Sequence, residues 1–399
     1  MSRVLNGIRV LDFSRFGAGP MTGAIFSDMG AEVIRVEKPT GEDDRDVLPL
    51  IPSGKVGIMF VCFNRGKKSI TLDIKSAKGS QLLKELIGKS DIVLHNFPPT
   101  SADAKLFNYE DLKKTNPSII LLAVSAYGQY GPYMGRSGFD PIGQAMSGAM
   151  AMNGFPGDPP LRAAVGWVDY STALSTVIGG LLALDHRRRN KGQGQMVDTC
   201  LLDSASWIVA GMGAPAEAVL YDIPRPQIGN DAYLTFASAF KAKDGWVMVY
   251  PPLDPQFKRF ARLIGRPELI DDPRFKERMQ RWENREILRE IVNKWVEDKT
   301  VNEIVSVLEA NRIPTAPVLS TQQMVNDKHI RERRVLLDVE SPYSDCKFPV
   351  PGIAINLSLT PGEVNGTAPR LGEHNMEVYG TLLNLKPDDI ALLQKEAII

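Results

Sequence analysis

Residues 7–37 restrict the fold more than any other stretch of the 399-residue chain. Gly7 to Phe13 is a short apolar, β-branched run that reads as a strand. Ser14 to Pro20 follows as a glycine-containing loop, with Pro20 suited to the first turn of a helix. That helix is expected to reach about Met29, and Ala31–Glu37 reads as the next strand. Strand, loop, helix and strand form a βαβ unit, which commits the N-terminal region to a parallel sheet. The loop glycines, Gly17, Gly19 and Gly23, do not have the dinucleotide-binding spacing, although Glu37 stands where a ribose-binding carboxylate would. Lys38, directly after it, points to a phosphate instead.

The same alternation continues. Ser69–Asp73 reads as a strand, Ser76–Ile87 as an amphipathic helix, and Asp91–His95 and Ser118–Ser125 as strands. Residues 194–202 read as strand and then helix. Asn96 and Phe97 leave the C-terminal end of a strand, where ligands of open α/β sheets gather. Arg65, Lys67, Lys68 and Lys75 flank one strand, either as a solvated face or as an anion site. Residues 127–148 are rich in glycine and tyrosine and suit a ligand-facing loop before a helix. Residues 1–215 are thus expected to form a large α/β domain and 216–229 a linker. Residues 230–325 form a smaller α+β domain with a hairpin at Asp244-Gly245 and helices near 254–264, 283–298 and 300–311. Residues 326–399 look too thin to fold alone and are expected to pack back on the large domain.

Charge excludes some functions. Lys plus Arg and Asp plus Glu are 47 each, so nothing global favours nucleic acid or an anionic membrane. No apolar run approaches a membrane span, and no signal peptide is evident. Cys62, Cys200 and Cys346 have neither disulfide nor zinc spacing, which suits a reducing cytoplasm.

One carboxylate stands out. Asp169 lies at the junction between a glycine-containing apolar segment and a long run of small and aliphatic residues that reads as a buried helix. Arg187, Arg188, Arg189 and then Gly192 mark that helix's end. Asp169 at or near the N-cap can accept bonds from free N–H groups. A carboxylate at a helix start in an apolar setting can also attack an acyl group. Spacing leaves both roles open.

Several stretches carry a family resemblance over essentially the whole chain: Leu11 to Phe13 with Ala18 to Pro20, Gly30 to Ile34, Lys68 to Asp73, Gly138 to Asp140, Gln144 to Gly148, Asn311 to Val318 and Ala368 to His374. In order and spacing they resemble the class III CoA-transferases, which include formyl-CoA and carnitine-type enzymes. The resemblance implies a large Rossmann-like domain with a parallel sheet, a smaller α+β domain, and a homodimer of two interlocked chains. It implies that Asp169 is the catalytic aspartate. By position, CoA contacts fall at Phe16, Gly17, Ala18, Lys38, Leu72, Lys75, Asn96 and Phe97, with Ser137, Gly138, Phe139 and Asp140 near the reacting end. Lys105 is the nearest candidate for a basic residue that the family places after Asn96-Phe97, offset by one. Gly17 replaces a polar residue of formyl-CoA transferase, and Tyr250 to Pro255 occupies the place of a glycine-rich lid.

The implied chemistry exchanges one activated acyl group for another through an aspartyl anhydride and an aspartyl-CoA thioester. It calls for acyl-CoA and a carboxylic acid as substrates, and for no metal or permanently bound cofactor. Two rivals differ in class. An α-methylacyl-CoA racemase shares the fold but needs a His/Asp pair, and no histidine lies between His95 and His186. A non-catalytic CoA-binding protein is the other. Arg15, Arg136 and Arg162 lie near active-site segments, so one of them could pair with the second carboxylate of a diacid.

Overall fold

The computed structural model describes residues 3–52 and 56–399. Its main sheet holds six parallel strands, β1 (Arg9–Asp12), β2 (Glu32–Glu37), β3 (Lys68–Thr71), β4 (Ile92–His95), β5 (Ile120–Ser125) and β6 (Met196–Cys200). Their order is β3-β2-β1-β4-β5-β6. β4 and β5 are buried at every position, as parallel strands covered on both faces must be. Neighbouring strand residues point to opposite faces. Leu11, Val93 and Leu121 pack with α2 (Ala77–Gly88), whereas Val10, Ile92 and Leu122 face α1 (Ala18–Asp28) and α4 (Trp167–Arg189). The chain lays β1, β2 and β3 outward to one side, then returns to place β4 against the other edge of β1. The C-terminal ends of β1 and β4 therefore form the switch point at which such sheets bind ligands.

Two further helices frame this point, α3 (Asp140–Met146) and, after β6, α5 (Leu201–Gly211). Gly179 and Gly180 let α4 pack closely: a Cβ on Gly180 would meet the Phe26 ring at 2.8 Å, and one on Gly179 would meet Val197 at 2.5 Å. Against expectation, α4 is long and apolar enough, by length and composition, to cross a membrane. Its inner face nevertheless belongs to the core, through Val168, Ala173, Val177 and Ala183. Its outer face carries Leu174, Ile178, Leu181 and Leu182, all exposed.

The chain divides into two compact units. The larger takes the residues up to Ala149, Arg162–Leu220 and Asp327–Ile399; the smaller takes Met150–Leu161 and Tyr221–Asn326. Sequence gave no sign that Met150–Leu161 would join the smaller unit. Backbone and side-chain bonds explain it: Gly229 N–H donates to the Gly154 carbonyl at 2.9 Å, and Gln227 Nε2 to the Asn153 carbonyl at 3.0 Å. The expected linker begins inside a helix, Ala214–Tyr221. The smaller unit has an antiparallel sheet of β7 (Ser238–Lys241), β8 (Trp246–Val249) and β9 (Thr315–Pro317). With it pack α6 (Asp254–Leu263), α7 (Arg285–Val296) and α8 (Val301–Ala310), around Phe240, Val247, Phe257, Phe260 and Leu288.

In the larger unit the C-terminal stretch forms a hairpin, β10 (Leu336–Ser341) with β11 (Ser344–Pro351), and then α9 (Asn375–Leu383) and α10 (Pro387–Lys395). It seals the β3 edge. Tyr379 donates its hydroxyl to the Thr71 carbonyl at 2.7 Å, and Asn375 accepts the Thr71 N–H at 2.9 Å.

Candidate active site

The site grows from the loop after β1, which is suspended on buried charge. The Asp12 carboxylate accepts the Ser14 N–H at 2.9 Å and the Ser14 hydroxyl, and pairs with Lys67 Nζ at 2.6 Å. Lys67 also donates to the Pro20 carbonyl at 2.8 Å and to Asn64 at 3.0 Å. Arg35 donates to the Ser14 carbonyl at 2.9 Å and to Asp44 at 2.7 Å. Asp44 in turn accepts the Phe16 N–H at 3.1 Å. Burial pushes the Lys67 ammonium down to about 8, against the pull of Asp12. Sequence left Lys67 as a solvated or anion-binding residue, and the structure places it in the interior. The partners lie far apart in the chain and carry no local signal.

These anchors hold Phe16 in the left-handed region, at φ 66°, which is strained for a residue with a side chain. The strain turns the backbone so that Gly17 and Ala18 face Asp169. A Cβ on Gly17 would lie 2.5 Å from Asp169 Oδ2, so the loop approaches the carboxylate as closely as backbone can. The Ala18 N–H hydrogen-bonds that carboxylate. Asn96, at the end of β4, ties the two loops together: its Oδ1 accepts the Arg15 N–H at 2.9 Å and its Nδ2 donates to the Arg15 carbonyl at 2.6 Å.

Asp169 does not cap its helix. α4 starts at Trp167 with Gly166 as N-cap, and Asp169 is the third helical residue. The cap comes from Asp140, whose Oδ2 accepts the Val168 N–H at 2.8 Å and the Asp169 N–H at 3.1 Å. Burial and then the Asp140 charge push the Asp169 carboxyl up to about 6, while the Ala18 bond opposes the rise.

Asp169 faces a cavity of about 240 Å³ that is also lined by Phe16, Gly17, Ala18, Asn96, Phe97, Ser137, Gly138 and Phe139. Phe16 and Phe139 meet edge to face with centroids 5.6 Å apart. A second cavity, of about 250 Å³, shares Arg15 and Phe97 with the first and is lined by Lys38, Leu72 and Lys75. Lys38 pairs with Asp43 at 3.1 Å and Lys75 with Asp103 at 2.8 Å. Asp140 is buried and does not line the first cavity. Lys105 is exposed on a short helix, Ala102–Lys105, and lines neither cavity. The three arginines separate. Arg15 pairs with Glu42 at 2.9 Å, and Arg162 is exposed and bonded to the Ala163 carbonyl. Arg136 lines the Asp169 cavity, stacked 4.0 Å over the Tyr133 ring, with no acidic partner among the described residues.

A carboxylate raised toward neutrality, close to backbone N–H groups at the switch point of a parallel sheet, marks a candidate active site of an α/β enzyme. The chain belongs to CoA-transferase family III, whose model matches residues 5–375. It is 34% identical to a succinyl-CoA–D-citramalate CoA-transferase of Chloroflexus aurantiacus, over all of this chain and 98% of that one. It is 30% identical to a formyl-CoA:oxalate CoA-transferase of Streptomyces avermitilis over the full length of both. Among solved structures, a CAIB/BAIF family protein from Brucella suis superimposes with a TM-score of 0.85, at 28% identity, over 96% of this chain and 100% of that one. The protein is thus a family III CoA-transferase that acts on CoA thioesters.

Proposed function

We propose that the enzyme moves CoA from an acyl-CoA donor to a dicarboxylic acid through covalent intermediates on Asp169. The observation that supports this most directly is the Asp169 carboxylate facing the cavity, uncapped and opposed to the backbone of Gly17 and Ala18. The carboxylate attacks the thioester carbonyl, the C–S bond breaks, and CoA thiolate leaves a mixed anhydride. Thiolate then attacks the aspartyl carbonyl, releasing the donor acid and leaving an aspartyl-CoA thioester. The acceptor carboxylate displaces the thiolate to form a second anhydride. Attack of thiolate on the acceptor carbonyl forms the new thioester and regenerates Asp169. Each tetrahedral oxyanion needs a donor, and the N–H groups of the Gly17–Ala18 turn are suited to that task.

The nucleotide end of CoA fits the second cavity, with Lys38 and Lys75 exchanging their carboxylate partners for phosphates, and Leu72 and Phe97 beside the base. Phe16, Asn96, Ser137, Gly138 and Phe139 line the pantetheine path. The racemase alternative lacks the histidine of its His/Asp pair among the described residues lining the Asp169 cavity. The exposed aliphatic face of α4, continued by Trp207 on α5, suits burial against a second chain and supports a homodimer. The three free cysteines suit a reducing cytoplasm.

Arg136 is the cation available to a second carboxylate, and the relatives named above are named for citramalate and oxalate, both dicarboxylic acids. Succinyl-CoA with labelled CoA, offered to a panel of acids, is expected to transfer at least about tenfold faster to dicarboxylates than to monocarboxylates of similar size. Arg136→Gln is expected to close most of that gap. Equal rates for both classes in the wild-type enzyme would exclude a diacid acceptor.

A further inference from the structure

Asp140 is 6% exposed, yet it is a charged residue next to the proposed nucleophile. Its oxygens are fully assigned. Oδ2 receives the first-turn N–H groups of Val168 and Asp169, and Oδ1 receives Gln144 Nε2 at 2.5 Å. Gln144, itself 1% exposed, is fixed in turn because its Oε1 accepts the Ala163 N–H at 2.9 Å. A buried chain of bonds therefore runs from the segment before α4, through α3, to the first turn of α4. An aspartate in that turn is itself a good hydrogen-bond acceptor for free N–H groups. With the cap supplied from α3, Asp169 has no such task.

We infer that Asp140, held by Gln144, is a positioning residue. It takes over the capping of α4, so that the Asp169 carboxylate stays turned into the cavity. This rests on the reading of Asp169 as the nucleophile. The charged and titratable groups around Asp169 are few. Asp140 lies beneath it, Tyr170 follows it on α4, and Arg15 and Arg136 stand on the cavity wall. Asp140 is the one whose charge raises the Asp169 carboxyl, after burial itself. A lower proton affinity would make Asp169 a weaker nucleophile and a better leaving group, so the neighbouring charge also sets the balance between forming and breaking the anhydride.

Three variants test this in the full-length enzyme. Asp140→Ala removes the acceptor for two N–H groups. It is expected to lower kcat by about 10²-fold, the usual cost of a displaced reacting group, with KM for acyl-CoA changed less than about twofold. Asp140→Asn keeps the shape and removes the charge. It is expected to move the acid limb of the kcat/KM profile to lower pH, and the Asp169 ¹³Cγ titration with it, the signal being assigned by its loss in Asp169→Asn. Asp140→Glu restores the charge and should return the titration toward the wild-type midpoint. An unmoved Asp169 titration in folded Asp140→Asn overturns the inference. So does a raised KM at unchanged kcat, which would make Asp140 a substrate contact. The titration needs no turnover. If the wild-type enzyme transfers no CoA while the titration moves as expected, the proposed function fails, and what remains is the influence of Asp140 on the Asp169 carboxyl.

Discussion

Asp169→Asn is expected to lose CoA transfer by roughly 10⁴-fold or more, the scale seen when a nucleophile is removed, and to gain stability at the same time. The loss follows because an amide has no anionic oxygen with which to form the anhydride. The gain follows from proton linkage. The folded protein holds the Asp169 carboxyl at about 6, above its ordinary value of 3.8. Between those two values the native state binds the proton more tightly than the unfolded chain, so this group's contribution to stability falls as pH rises, and the full penalty is reached above about pH 6. A rise of about two pKa units corresponds to at most about 3 kcal/mol. Asparagine carries no charge to desolvate, so the variant should exceed wild type by about 1–3 kcal/mol at neutral pH and approach it near pH 4. Urea titrations at the two pH values, on freshly purified protein whose mass excludes deamidation, check both halves. Near-normal turnover by the variant would remove Asp169 from the chemistry. A neutral-pH destabilisation would remove the burial argument.

Lys67→Met is expected to have the largest effect on folding, about 3–5 kcal/mol, because it leaves the Asp12 carboxylate buried without its counter-charge. Both side chains are fully buried, and Lys67 also satisfies the Pro20 carbonyl and Asn64. The loop that carries Phe16, Gly17 and Ala18 lies between these anchors, so activity should fall further than stability alone requires. The double variant Asp12→Asn/Lys67→Met removes both charges and should recover a large part of the lost stability, since the penalty is the unpaired charge. Equilibrium denaturation of the two variants decides. A single variant within about 1 kcal/mol of wild type would show that the pair does not support the loop.

Much of this architecture can be read from the chain itself. The parallel sheet follows from β-branched runs separated by helices, and its ligand edge from the loops after Phe13 and His95. Asp169 is visible as a carboxylate at a helix start. The assignment of the cap is not, because the capping oxygen lies 29 residues upstream on α3 and reaches α4 only in the folded state. Asp12, Arg35 and Lys67 look like ordinary strand-edge charge, and their burial arises from partners brought in by the sheet. Gly17 suggests a turn, but the strained position is Phe16, held there by Asp44, whose place in the sequence shows nothing. Lys105, matched by residue type with an offset of one position, is exposed and lines neither cavity. A buried helix after Asp169 is legible, but its membrane-spanning apolar length is not, and the division of its faces between core and surface depends on Gly179 and Gly180 packing against Val197 and Phe26.

The covalent route through Asp169 is tested most directly by trapping. Wild-type enzyme incubated with succinyl-CoA and quenched with hydroxylamine should carry a hydroxamate on the peptide containing Asp169, and on no other carboxylate. The modification should require the thioester and be absent from Asp169→Asn. Steady transfer with an unmodified Asp169, or with the adduct on a different residue, would contradict the mechanism.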